Sequence, residues 1–352
     1  MRLIRPMNLA RICTLVMCAA VALPVPAQAA AAQQKSTSKT AVKKKTTYSA
    51  SASAARKARL ARARAAAHTR EQSRMRVLQT AMTPRFKTDA SGALVPDIRA
   101  AAAILLDPTT GQVLWSENAQ EKRSIASITK VMTAIVFLED QPDLTRVVTV
   151  ERVDTFAAST TYLRANDQIT LDNLLHLTLI ASDNAAARAL ARLSHGGTSL
   201  FVDRMNSKAA ELGLESMSFT DPSGLRPENV STAYDLSRLI TYASSDERIA
   251  PIMRTAEYKV ATNRRTIPIH NTNRLVMDGD VTVMAGKTGF ISKAGHCLAT
   301  LLRMPGGNDV AVVVLGASSN PGRFWETRHL FNWLSQKTSD LLKKEQQNQN
   351  QD

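Results

Sequence analysis

Ser127 and Lys130 are the first side chains in this sequence whose types and spacing could do covalent chemistry. On a helix, a spacing of three puts both on one face and within reach of each other, with the hydroxyl near the partial positive charge of the helix N-terminus. An alcohol becomes a nucleophile when a base takes its proton, and a lysine can be that base where its surroundings keep it neutral. Ser182-Asp183-Asn184 and Lys287-Thr288-Gly289 follow at intervals of 55 and 105 residues. Singly these patterns say little. Ser36-Thr37-Ser38-Lys39 repeats the first spacing with no expected helix or core behind it, and Ser116-Glu117-Asn118 and Ser318-Ser319-Asn320 repeat the form of the second. Lys287-Thr288-Gly289 occurs once, at the end of an expected strand, where Gly289 would let a ligand's backbone approach closely.

The elements that must position these residues are legible as changes of period. Ala102 to Leu106, the turn residues Asp107-Pro108-Thr109-Thr110-Gly111 and residues 112–115 read as strand, turn and strand. Residues 128–138 carry a helical pattern, and 171–180 and 185–193 are two more helical runs broken by Ser182-Asp183-Asn184. Residues 281–285, 296–303 and 309–315 read as strands, the last two separated by Pro305-Gly306-Gly307, and a closing helix covers 321–334. Strands at both ends with helices between them predict an α+β domain, its antiparallel sheet built from both chain ends and joined by a helical subdomain. The three motifs then fall on a helix start, a loop between helices and a sheet strand.

The net charge of +15 over 352 residues would point to nucleic acid or a membrane if it were evenly spread. It is concentrated. Residues 1–30 hold three Arg and no acid, 31–94 hold 15 basic and two acidic residues, and 95–352 hold 27 basic and 28 acidic. Fourteen of the 16 aromatic residues also lie beyond 95, which places the folded part there and makes it near neutral. Arg2, Arg5 and Arg11, the apolar run from Ile12 to Leu23 and the small-residue sequence Ala27-Gln28-Ala29 have the layout of a cleavable secretory signal over 1–29. Export then predicts a periplasmic location and speaks against a nucleic-acid partner. Residues 30–94, rich in Lys, Ser and Thr and then in Arg and Ala, read as a largely disordered basic linker with helix propensity in its Ala/Arg stretch. The functional reading of 31–94 is a tether to an anionic wall or membrane surface, and the bland reading is a solvated spacer. Residues 337–352 read as a polar tail.

Cys297 remains as a single cysteine once Cys13 and Cys18 leave with the signal, so no intrachain disulfide is expected, and it reads as a small buried hydrophobe. The histidines show no metal-binding spacing.

Ser127, Lys130, Ser182, Asp183, Asn184, Lys287, Thr288 and Gly289, in that order, resemble the signature shared by penicillin-binding proteins and class A β-lactamases. A class A β-lactamase also needs a deacylating glutamate, in that family within Glu-x-x-Leu-Asn, and Glu211, Glu215, Glu228, Glu247 and Glu257 do not sit in that pattern. Asp221-Pro222-Ser223-Gly224-Leu225 instead resembles the low-molecular-mass penicillin-binding proteins, the serine D-Ala-D-Ala peptidases. Within them Asp183, Asn271-Thr272-Asn273-Arg274-Leu275 and Lys287-Thr288-Gly289-Phe290-Ile291 are similar to the D-alanyl-D-alanine endopeptidase, penicillin-binding protein 7, branch. The resemblance covers 95–336.

It implies a β-lactamase/transpeptidase-like fold and a serine hydrolase acting on peptidoglycan stem peptides and acylated by β-lactams, without cofactor or metal. Ser127 would attack a D-Ala carbonyl, Lys130 take its proton and Ser182 relay a proton to the leaving amine. Asn184 would hold the substrate backbone, and Lys287 and Thr288 would face a substrate carboxylate. The backbone N–H groups of Ser127 and Phe290 would hold the oxyanion. A D,D-carboxypeptidase is the runner-up, a β-lactamase comes third, and a wall-binding module with a dead enzyme domain is the reading from another class.

Overall fold

The computed structural model describes residues 50–349. The expected signal over 1–29, the first part of the linker and the last three residues lie outside the described residues. Within the stretch read as a linker the chain forms helix α1, Ala50–Met82. Its residues 54–76 are all exposed, so alanine and arginine propensity makes this helix without an apolar face to bury. Residues from Ala66 onward form one compact unit that contains everything below.

The folded unit starts earlier than residue 95. Phe86–Thr88 and Leu94–Pro96 form an antiparallel hairpin, held by a Phe86–His329 edge-to-face ring contact and by His329 Nε2 at 2.7 Å from the Arg85 carbonyl. Its first strand is exposed throughout, so it has no alternation to betray it in the sequence.

Five strands make the central sheet: β1 (Ala102–Leu106), β2 (Val113–Glu117), β3 (Thr282–Ile291), β4 (Gly295–Arg303) and β5 (Asp309–Ala317). The spatial order is β3-β4-β5-β1-β2, antiparallel at every junction, so the two chain ends meet where Val313 of β5 faces Ile104 of β1. Side chains alternate between two cores, as the period of a strand requires. Ala102, Ile104 and Leu106 enter the core shared with the helices, while Ala103 and Leu105 enter a second one with Phe324, Leu330, Phe331 and Leu334. Covering both faces explains why Val310 to Leu315 is apolar without a break.

Helix α2 (Thr129–Glu139) is buried at every position from Thr129 to Leu138 and runs through the larger core. Around it pack α3 (Leu171–Leu179), α4 (Asn184–Leu193) and α5 (Ala233–Ser244). Thr170, Asp183 and Thr232 cap these three helices, each side-chain oxygen accepting the backbone N–H three residues further on. Helix α5 and the hairpin Glu257–Ala261 with Thr266–His270 were not anticipated from the sequence. The closing helix α6 covers Asn320–Gln349, beyond the expected 321–334 and through the expected tail, because Leu, Lys, Glu and Gln sustain a helix after its apolar contacts end.

Candidate active site

Ser127 stands in a 3-10 turn, Ala126–Ile128, that feeds directly into α2. The residue before it, Ala126, has φ +48°, a left-handed conformation that costs a residue with a Cβ on the order of 1 kcal/mol or more. The loop from Asp221 to Gly224 holds that turn in place. Gly224, at φ +80°, lies so close that an added Cβ would stand 2.0 Å from the Ala126 carbonyl oxygen, and only glycine fits there. Asn229 secures the loop, accepting from the Thr220 and Asp221 N–H groups and donating to Thr129 Oγ1 and the Asp221 carbonyl.

Lys130 is wholly buried, and its Nζ lies 2.8 Å from Ser127 Oγ, 2.6 Å from Asn184 Oδ1 and 2.6 Å from the Ser223 carbonyl. Two of these three partners can only accept. A neutral amine has two N–H donors and one lone pair, so donation to Asn184 and Ser223 leaves the lone pair to the Ser127 hydroxyl. The ionisation fits this arrangement. Burial pushes the Lys130 pKa down to about 7, against the opposing attraction of Asp221 and Asp183.

The second motif joins the first to the third. Ser182, at φ +59°, presents its Oγ to Lys287 Nζ at 2.8 Å. Asn184 holds Lys130 through Oδ1 and donates through Nδ2 to the Ala158 carbonyl at 2.7 Å. Both ends of its amide are thus engaged within the chain, the oxygen on the lysine and the nitrogen on a carbonyl, while the residue still lines the Ser127 cavity. Asp183 points elsewhere. It caps α4 through the Ala186 N–H and accepts the Tyr162 N–H, and burial raises its pKa. The acid that distinguished the motif in the sequence does not line the cavity.

Lys287 and Thr288 lie inside β3 rather than at its end. Lys287 is buried, and burial followed by the charges of Lys130 and Arg323 holds its pKa well below the usual lysine range. Thr288 Oγ1 donates to Thr272 Oγ1 at 2.7 Å. A Cβ at Gly289 would meet the Ile125 carbonyl oxygen at 2.6 Å, so the chain's own Ser127 turn already requires a glycine here. Phe290 is half exposed and stacks on His296 at 4.2 Å.

Ser127, Ser182, Asn184, Thr288, Gly289 and Phe290 line one cavity of about 210 Å³. All eight residues expected at the site therefore gather there, Lys130 and Lys287 as buried partners of its hydroxyls. Sequence reasoning missed Ser159, Thr160, Leu225, Thr272 and Arg323, which line the same cavity, and the Ser223 carbonyl behind it. Arg323 reaches from α6 to the carbonyls of Gly289 and Cys297, its pKa lowered to about 10 by burial. A turn signal marks 221–224 in the sequence, yet nothing local says what that turn touches. Among the described residues no cluster of His, Cys, Asp and Glu could hold a metal ion. Cys297 is buried, and burial pushes its thiol up to about 11.

Residues 87–319 match the family described as D-alanyl-D-alanine carboxypeptidase. The chain belongs to this family. As a serine D-alanyl-D-alanine peptidase it is 34% identical over 249 residues to the D-alanyl-D-alanine endopeptidase of Escherichia coli K12, covering 70% of this chain and 80% of the relative. It is also 34% identical over 262 residues to the endopeptidase of Pseudomonas aeruginosa, covering 72% and 83%. The D-alanyl-D-alanine carboxypeptidase of Bacillus subtilis is 32% identical, with 63% of this chain and 58% of the relative covered. Among solved structures, the Streptomyces K15 DD-transpeptidase superposes with a TM-score of 0.64 at 28% identity, covering 68% of this peptidase and 97% of that chain. The fold is thus the penicillin-binding one expected from the sequence. No described helix of the peptidase is long and apolar enough to cross a membrane.

Proposed function

We propose that this peptidase is an exported endopeptidase that hydrolyses D-Ala–diamino acid cross-links of peptidoglycan, and that penicillin inhibits it covalently. The observation that carries the reading is Lys130, buried, held near neutrality and aimed at Ser127 Oγ by Asn184 and Ser223. Ser127 attacks the D-Ala carbonyl while Lys130 takes its proton, as a general base with a pKa near the working pH should. The N–H groups of Ser127 and Phe290 stabilise the oxyanion. Ser182, hydrogen-bonded to Lys287, passes a proton to the leaving amine, and water releases the acyl group. Lys287 and Thr288 face a substrate carboxylate.

The likeness to relatives favours cross-links over terminal D-Ala. The chain spans 80% and 83% of the two endopeptidases above but 58% of the Bacillus subtilis carboxypeptidase, whose remaining length has no counterpart in the match. The runner-up remains a D,D-carboxypeptidase, as the family's description reads. A signal over 1–29 would deliver the enzyme to the periplasm, and the basic stretch 31–94 would hold it to an anionic wall or membrane surface.

The test is to incubate the full chain with a cross-linked muropeptide dimer that also carries a terminal D-Ala-D-Ala and to separate the products by mass. Conversion to monomers is expected. Loss of a terminal D-Ala alone would overturn the endopeptidase reading and leave the nucleophile standing.

A further inference from the structure

A second cleft, of about 320 Å³, opens beside the loop that supports Ser127 and is larger than the Ser127 cavity. Leu225 lines both, so the two spaces adjoin at that side chain. The second cleft is lined by three arginines, Arg188, Arg192 and Arg226, and by Asp154 and Asp221.

The charges do not cancel within it. Arg192 is fully matched, since its Nε and Nη2 donate to the two oxygens of Asp154 at 2.9 and 2.8 Å and its Nη1 donates to Glu151 at 2.8 Å. Asp221 is engaged by its own loop, accepting from the Ser223 N–H and hydroxyl, the Gly224 N–H and the Arg226 N–H. Arg188 donates to the Phe156 carbonyl at 2.7 Å and reaches the Asp154 carbonyl at 3.5 Å, neither of which neutralises a guanidinium. Arg226 is exposed, and its side chain takes part in none of the hydrogen bonds or ion pairs among the described residues. Two guanidiniums without an ion-pair partner therefore face a cleft one loop away from the nucleophile, and three arginines against two carboxylates leave that cleft one net positive charge. A guanidinium fork matches a carboxylate with two parallel hydrogen bonds.

We propose that this cleft is a subsite for a carboxylate of the stem peptide remote from the scissile bond, held by Arg188 and Arg226. The inference rests on the reading of cross-linked stem peptides as substrate, because such a peptide carries free carboxylates, the diamino acid's own among them, away from the D-Ala carbonyl. An extended chain advances roughly 3.3 Å per residue, so a few residues suffice to pass Leu225. Benzylpenicillin carries a single carboxylate, on its ring system beside the reacting bond, and so has none to offer the second cleft. The subsite would then separate peptide from drug, adding affinity for the first and nothing for the second.

The experiment compares wild type, Arg226→Gln and the Arg188→Gln/Arg226→Gln double variant in the full chain. Two substrates are used, a cross-linked muropeptide dimer and a stem pentapeptide ending in D-Ala-D-Ala, each with free and with amidated carboxylates away from the reacting end. Arg226→Gln should raise KM for the free-carboxylate substrate about tenfold with kcat unchanged, as expected for one lost charge-assisted bond. Amidation should raise the wild-type KM by a similar factor or more and leave the double variant unaffected. The rate of acylation by penicillin should be the same in wild type and Arg226→Gln. A KM indifferent to both Arg226→Gln and amidation would overturn the subsite. A parallel fall in penicillin acylation would also overturn it, by showing that the loop and not a carboxylate contact had been lost. Wild-type enzyme that trims the pentapeptide and leaves the dimer intact would overturn the endopeptidase reading alone, with the subsite then read from the pentapeptide KM.

Discussion

Helices α1 and α2 carry cations in opposite ways. Helix α1 strings Arg56, Lys57, Arg59, Arg62 and Arg64 among alanines, all exposed, and its helicity follows from residue preference. Helix α2 contains Thr129, Val131, Thr133, Ile135 and Val136, β-branched residues that favour a helix little, and it is held by the core that surrounds it. That same core removes water from Lys130 and brings its pKa to about 7, while Ser223, Asn184 and the strained Ser127 turn fix where its nitrogen points. A lysine becomes a base through the packing of its helix, and the unpacked helix has only charge to offer.

The contrast can be broken most forcefully at Lys130 itself. Lys130→Met keeps the apolar volume and removes the amine, so acylation by penicillin should fall by about a thousandfold, within the usual contribution of a general base, while unfolding remains cooperative. Ser127→Ala should abolish covalent labelling altogether, and a labelled variant would remove Ser127 from its role. Gly224→Ala comes next. Its Cβ meets backbone at 2.0 Å in a left-handed conformation, so urea unfolding should show a loss of about 3 kcal/mol or more, and a loss below about 1 kcal/mol would mean the loop does not clamp the turn.

Asp183→Asn sharpens the electrostatic part. Asparagine can still cap α4, but the charge that raises the Lys130 pKa disappears, so the pH midpoint of acylation should move down. An upward shift would contradict the assigned sign. The smallest effect on folding belongs to α1. Removing residues 31–82 should move the thermal midpoint by less than about 3 °C, since the described stretch 54–76 is exposed. The same deletion should weaken sedimentation with purified cell wall at low salt. Unchanged binding would make the stretch a spacer.

The sheet and the three motifs were legible because both leave local traces. Val310 to Leu315 declares a strand covered on both faces, and Ser127, Ser182 and Lys287 fall on elements readable from periodicity. What stayed hidden depends on distant contact. The Ser223 carbonyl meets Lys130 across 93 residues, and Arg323 approaches Gly289 across 34, with no pattern linking either pair. Asn184 was recognised by type, but its hold on Lys130 and on the Ala158 carbonyl is set by the fold and leaves no local trace. At Gly289 the need for a glycine shows in the sequence, but the Ile125 carbonyl that closes on it does not. The hairpin at 86–96 and the long C-terminal half of α6 were missed because exposed polar elements carry no hydrophobic period.

The central claim is that a buried, near-neutral Lys130 activates Ser127, and the most direct measurement is the second-order rate of acylation by a fluorescent penicillin from about pH 5 to about pH 9. Deprotonation of Lys130 switches the base on, so the rate should rise through a midpoint near pH 7, where its pKa is held at about 7, and then level off. A flat profile, or a rate still climbing without a plateau at about pH 9 as a base with the ordinary lysine value of 10.5 would give, would contradict it.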